Sequence, residues 1–170
     1  MARRDVVAED IVMSAGGNPT IAAHRLAPGD LAGFRAMNAI FSDGFGEPQN
    51  YADHPPGDDY ALAWLSNPSN FGILGTVDGE PAGALAGYVL QKFEQERTEV
   101  YIYDLAVLEH HRRKGVASAM IAETRRVARE CGAWTVFVQA DIIPEDEPAR
   151  ALYRKLSHSE ITALHFDIEP

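Results

Sequence analysis

The run Tyr101-Ile-Tyr-Asp-Leu-Ala-Val107, Leu108-Glu-His-His-Arg-Arg-Lys114, Gly115-Val-Ala-Ser-Ala-Met120 decides how this chain is read. It is a strand, a basic turn and a helix start. Simple alternation places Tyr101, Tyr103, Leu105 and Val107 on one strand face, and Val100, Ile102, Asp104 and Ala106 on the other. A helix start exposes unpaired N–H groups and a partial positive charge, which together suit phosphate oxygens. Gly115 permits close approach of backbone and ligand, and Ala117 is small enough to do the same. Arg112, Arg113 and Lys114 concentrate positive charge in a chain whose formal net charge is −10. A solvated basic turn accounts for the charge pattern equally well. Neither Gly-x-Gly-x-x-Gly nor Gly-x-x-x-x-Gly-Lys-Ser/Thr occurs here.

Working outward, helix Gly115–Cys131 has Val116, Met120, Ile121, Val127 and Ala128 at core spacing. It is followed by strand Trp134–Ala140, helix Glu147–Leu156 and a final strand Ile161–Ile168. Upstream, Thr20–Leu26 reads as a first strand. A helix starts at Gly29-Asp30, with Leu31, Phe34, Met37, Ala39, Ile40 and Phe41 at helical spacing. Ser42–Asp59 is rich in Gly, Pro, Asp and Asn and reads as a long loop. A short helix follows, with Tyr60, Leu62 and Leu65 inward. Phe71–Val77 and Pro81–Leu90 flank Asp78-Gly79 as a hairpin. The order predicts a single α/β (α+β) domain over 19–170, with one mixed, mostly antiparallel sheet flanked by helices. Residues 1–18 read as a flexible N-terminal arm.

Composition sets limits on function. An acidic chain repels nucleic acid and anionic membrane, and favours a cationic small-molecule partner. The same charge also serves plain solubility. Cys131 is the sole cysteine, which excludes an intramolecular disulfide. It reads as a small buried hydrophobe. No histidine pair has zinc spacing, so no metal is expected. No apolar run is long enough for a membrane span, and no apolar signal core follows the basic N-terminus. A cytoplasmic location is expected. Trp64 and Trp134 read as packing residues, His165 as structural, and His110 and His111 as turn residues.

Arg112-x-x-Gly115-x-Ala117 resembles the Gln/Arg-x-x-Gly-x-Gly/Ala signature of the GNAT acetyltransferases. The setting between strand and helix also resembles that family. The resemblance implies acetyl-CoA as cosubstrate. Arg112, Arg113, Lys114, Gly115, Val116, Ala117 and Ser118 would hold its pyrophosphate. Leu105, Ala106 and Val107 would contact the pantetheine and acetyl group on a splayed strand. Further segments look like the class I aminoglycoside 3-N-acetyltransferases, the gentamicin acetyltransferases. They include Phe45-Gly-Glu, Asp59-Tyr60, Gly83–Leu90, Lys92–Gln95, Val138-Gln-Ala-Asp141, Ala151-Leu-Tyr153 and His165-Phe-Asp-Ile168. That resemblance implies acetylation of the 3-amino group of a deoxystreptamine ring, antibiotic resistance, and a homodimer.

Attack of an amine on a thioester needs a neutral amine, a polarised carbonyl, a proton donor for the thiolate and close approach. Backbone N–H groups near Leu105–Val107 are candidates for polarising the carbonyl. Tyr153 is the candidate general acid, with core packing as the alternative. Asp104 is the candidate base, with substrate orientation or a satisfied structural carboxylate as alternatives. Glu47, Asp59, Asp141, Asp146 and Asp167 are candidate contacts for a polycationic substrate, each otherwise a solvated charge. Two other functions fit the same turn: a GNAT enzyme for another amine (a polyamine or a protein amino group), and a non-catalytic acyl-CoA-binding module.

Overall fold

The computed structural model describes residues 18–170. The arm expected over 1–18 therefore lies almost wholly outside the described residues. Five strands form one sheet in the order β1 (Ile21–Arg25), β2 (Asn70–Val77), β3 (Glu80–Gln91), β4 (Thr98–Val107) and β5 (Ala133–Val138). The first three pairings are antiparallel, and β4 with β5 is parallel. This is the mixed sheet the sequence predicts.

Two apolar layers cover the sheet. On one face α1 (Leu31–Phe45), α2 (Pro48–Tyr51) and α3 (Asp58–Ser66) bury Phe34, Met37, Ile40, Phe41, Ala61 and Leu65. On the other, α4 (Val116–Glu130) contributes Val116, Met120, Ile121, Val127 and Ala128 to a core with Phe71, Ile73, Leu85, Val100 and Ile102. Helix α5 (Glu147–Leu156) packs Leu152, Tyr153 and Leu156 against this second core. Asp30 caps α1 by accepting a 2.8 Å bond from the Gly33 N–H. Asp78 and Gly79, at φ 53° and 89°, supply the two left-handed residues of a tight hairpin. Among the described residues, no helix is long and apolar enough to cross a membrane.

Strand β4 departs from the plain alternation read in the sequence. Ala86 pairs with Asp104 but Gly87 pairs with Ile102, so Tyr103 is an extra residue on β4. This bulge shifts the side-chain phase. Val100 and Ile102 face the α4 core, and after the bulge Leu105 and Val107 do so. Ala106 instead joins the α1 layer. Asp104 falls on that α1 side too, in a cavity with α1 residues. Gly87, beside the bulge, leaves room for the Phe71 ring, which occupies the place where a Cβ would stand.

Other expectations are corrected. Ser42–Asp59 is not one loop: α1 runs on to Phe45, and α2 follows. Phe41 and Phe45 stack one turn apart at 5.7 Å, Tyr51 packs on both, and Gly46 ends the helix at φ 67°. In α3 the inward residues are Ala61 and Leu65, while Tyr60 is exposed. Cys131 is exposed, because α4 stops at Glu130 and its thiol lies beside the Ala128 carbonyl at 3.4 Å. Trp134 is also exposed, and the Arg97 guanidinium covers its ring at 4.2 Å. Trp64 does pack, edge-on to Phe34 and Tyr88. The final strand is absent: Ser157–Pro170 has no regular structure, and Ile161, Leu164, Phe166 and Ile168 are exposed. Among the described residues the outer edge of β5 stays unpaired, and His165 contacts Asp167 at 3.2 Å.

Candidate active site

The parallel pairing of β4 and β5 ends at Ile102 opposite Val138, whereas β4 stays paired with β3 through Val107. Among the described residues, 103–107 therefore have a sheet edge with no strand partner. Backbone N–H groups on such an edge remain open to a ligand carbonyl. Leu105, Ala106 and Val107 lie on this edge.

The basic turn leads directly from it. Glu109–His111 makes one 3₁₀ turn, Arg113 adopts φ 62°, and Gly115 adopts φ 98°. Among the described residues, no side chain caps α4. Its first N–H groups, at Val116, Ala117 and Ser118, are thus left for an external acceptor. Lys114 and Arg113 flank them. Arg112 is occupied differently: its Nε donates to the Val107 carbonyl at 3.1 Å and its Nη2 to the Gly44 carbonyl at 3.5 Å. It ties the turn to β4 and α1. An uncapped helix start beside a splayed strand fits a diphosphate joined to an extended thiol arm. Among the described residues, no group of three or more His, Cys, Asp or Glu is placed to hold a metal.

On the α1 side, a cavity of about 260 Å³ lies between α1, α2, α3 and strands β3 and β4. Its walls are largely aromatic (Phe34, Phe41, Tyr51, Tyr60, Trp64 and Tyr88), and Asp104 supplies a carboxylate. Aromatic faces and a carboxylate together favour a cation. The Tyr51 hydroxyl donates to Asp104 Oδ2 at 3.1 Å. Burial pushes the Asp104 carboxyl above its ordinary range; the Tyr51 bond opposes this and nearby Glu47 adds to it. Burial and the Asp104 charge raise the Tyr51 phenol, which stays protonated.

Tyr153 sits on the opposite side of the sheet, packed with the α4 core. Burial, aided by Asp146, pushes its phenol up to about 12. At neutral pH it is protonated and able to donate.

The acidic candidates divide. Glu47 lies close enough to Asp104 and Tyr51 to act on both, and it accepts a 2.7 Å bond from Asn50 Nδ2. Asp141 and Asp146 form a second group, where the Asp146 carboxylate accepts from the Asp141 N–H at 3.1 Å and Arg150 binds the Asp141 carbonyl. Asp59 stands in the first turn of α3, and Asp167 is fully exposed beside His165. No hydrogen bond or ion pair joins either to Asp104 or Tyr153.

Tyr51 and the aromatic wall were missed in the sequence. A usable signal existed for the wall: Trp64 falls on α3 beside inward Ala61 and Leu65. None existed for Tyr51, whose place depends on a four-residue helix.

Comparisons with known proteins follow the same lines. The sequence model of the acetyltransferase (GNAT) family matches residues 34–157. No curated protein matches the chain by sequence. An aminoglycoside acetyltransferase from an uncultured soil metagenomic sample is 41% identical, with a TM-score of 0.85 over 89% of this chain and 99% of that one. Another from such a sample, solved with sisomicin, is 25% identical, with a TM-score of 0.75 over 88% and 97%. An aminoglycoside N-acetyltransferase solved with CoA is 18% identical, with a TM-score of 0.68 over 92% and 99%, a likeness of fold alone. The strand that splays after Ile102, the uncapped helix behind its basic turn and the family match over most of the chain meet in one conclusion: this protein belongs to the GNAT acetyltransferase family.

Proposed function

We propose that this enzyme transfers the acetyl group of acetyl-CoA to an amine of an aminoglycoside, the 3-amino group of the deoxystreptamine ring, and so confers resistance. The observation that carries this reading is the aromatic cavity lined by Asp104, which stands on the open edge of β4 next to Leu105–Val107. The cavity opens outward, so one ring of the acceptor is assigned to it and the remaining rings lie outside. The likeness at 41% identity to an aminoglycoside acetyltransferase supports the acceptor class.

The residues take the following parts. Arg113, Lys114 and the N–H groups of Gly115, Val116, Ala117 and Ser118 hold the diphosphate, and Arg112 fixes the turn. The edge Leu105–Val107 aligns the thioester and receives charge developing on its carbonyl oxygen. Asp104 orients the acceptor ammonium and takes its proton, directly or through water. The free amine attacks the carbonyl carbon. As the carbon–sulfur bond breaks, the nitrogen loses its second proton, which returns through water to the Tyr153 phenolate left by protonation of the sulfur. Tyr153 gives its proton to the departing sulfur. Glu47, Asp59, Asp141, Asp146 and Asp167 are assigned to the outer cationic groups. The enzyme is assigned to the cytoplasm and, by its family likeness, to a homodimer.

The test is incubation with acetyl-CoA and gentamicin, kanamycin, spermidine or a lysine peptide, following thiol release and locating the acetyl group by NMR. Release with the aminoglycosides and a label on the 3-amino nitrogen is expected. Release with spermidine or the peptide alone would move the enzyme to another amine, and the lack of release with any of these amines would leave a binding module.

A further inference from the structure

A row of aromatic rings crosses the α1 face of the sheet. Trp64 stands edge-on to Tyr88 at 6.5 Å, Tyr88 to Tyr103 at 5.6 Å, and Tyr103 to Tyr101 at 5.7 Å. Trp64 and Tyr88 belong to the cavity wall, and Tyr103 and Tyr101 carry the row on beyond it. Tyr103 is 58% exposed.

The bulge explains why this ring stands beside the carboxylate. Ile102 faces the α4 core, so alternation returns Tyr103 to the α1 face. In an unbroken strand the next side chain would turn back toward α4. The extra residue keeps Asp104 on the α1 face instead, so two consecutive side chains share one side.

A lone exposed aromatic residue needs no function. Tyr103 differs in being held in place next to a site. Tyr88 and Tyr101 flank its ring, and Tyr101 is itself anchored: it stacks on Phe137 at 4.7 Å and donates to Gln139 Oε1 at 2.7 Å. Tyr60, the other exposed tyrosine at this cavity, has no ring contact among the described residues. Burial raises the Tyr51 and Tyr88 phenols, and the nearby Tyr103 phenol adds to both shifts. Tyr103 thus stands close to two walls of the cavity without closing it. A fixed aromatic ring loses little freedom when a ligand lands on it, and its face attracts cations.

We propose that Tyr103 is a specificity-determining residue whose ring is the platform for an aminated sugar joined to the acceptor ring, so that the site selects multi-ring amines over single-ring ones. This rests on the reading of the cavity as the amine-acceptor site and extends it to the next ring. Tyr103 takes no part in the bond-making step.

The test is calorimetric binding to the full chain at saturating CoA. It compares kanamycin, which carries aminated sugars on its deoxystreptamine ring, with 2-deoxystreptamine, the bare ring. Tyr103→Leu is expected to weaken kanamycin binding by about three- to fivefold, the scale of an exposed cation–π contact, and to leave 2-deoxystreptamine binding nearly unchanged. Tyr103→Phe is expected to keep the parent's affinity for both. Tyr103→Thr carries the same prediction as the leucine variant should that one fail to fold. Equal weakening of both ligands overturns the proposal and leaves Tyr103 as a structural residue. It is overturned too by no weakening of kanamycin, by a phenylalanine variant as weak as the leucine one, or by a parent that binds both ligands equally or neither. Thiol release by the parent with intact aminoglycosides is read separately, so failure here is distinct from failure of the acetyltransfer reading.

Discussion

The phenol of Tyr51 donates a 3.1 Å hydrogen bond to the Asp104 carboxylate, joining a four-residue helix to a strand 53 residues away. The bond steadies the ionised carboxylate against burial. Tyr51→Phe removes it and drives the Asp104 carboxyl further upward. The acid limb of the kcat/KM–pH profile is expected to move to higher pH, with kcat/KM falling about tenfold, the worth of a bond to a charged group. A profile that keeps its acid limb would place Asp104 outside the chemistry.

Asp104 also ties stability to pH. Its carboxyl is raised above the ordinary 3.8 in the folded state, with burial the largest cause. The folded chain thus holds that proton more tightly than the unfolded chain. The resulting stability is complete below the ordinary carboxylate range and is lost as pH rises through the raised value. Asp104→Asn has no such loss, so its stability relative to the parent is expected to grow from about pH 4 toward pH 8. Urea titrations across that range measure it, and a difference flat with pH would contradict it. Activity is expected to fall by about 10²- to 10⁴-fold.

Burial, with Asp146 nearby, pushes the Tyr153 phenol up to about 12. Tyr153→Phe keeps the ring in the core and removes the proton donor. Turnover is expected to drop about 10²-fold or more, with acetyl-CoA affinity and melting temperature nearly unchanged. Unchanged turnover would leave Tyr153 as a packing residue.

Gly115 opens α4 at φ 98°, and a Cβ there meets only the Ile21 Cδ1 at 3.6 Å. Space is adequate and the backbone conformation is not. Gly115→Ala is expected to cost about 1–2 kcal/mol of stability, the scale of left-handed strain in an L-residue. It is also expected to raise KM for acetyl-CoA well above any change in KM for the amine. Equal changes in both would argue against the turn as the diphosphate site.

Periodicity carried most of the architecture. The Asp78-Gly79 hairpin, the α4 core stripe and the Glu147–Leu156 helix could be read directly, because each depends on residues close in sequence. What escaped depends on distant partners. The pattern of Leu164, Phe166 and Ile168 promises a strand, but a pattern supplies no neighbour to bond with. Ser42–Phe45 looked like loop because Gly and Asp are weak helix formers. There the Phe41–Phe45 stack and the Gly44 approach to Ala106 prevail over propensity. The site divided likewise: the diphosphate turn is local and legible, whereas Tyr51 and the aromatic wall come together only through packing.

The extra residue Tyr103 has a consequence for chain length. Removing it would return β4 to an even pleat and leave Asp104 opposite Ala86, so the carboxylate would keep its address. The bend would go with it, since a bulge is what turns a strand from its course. A straightened β4 could continue its ladder with β5 beyond the Ile102–Val138 pair, zipping shut the edge assigned to the thioester. In this sheet a single residue of length, rather than any one side chain, separates an open slot from a closed seam.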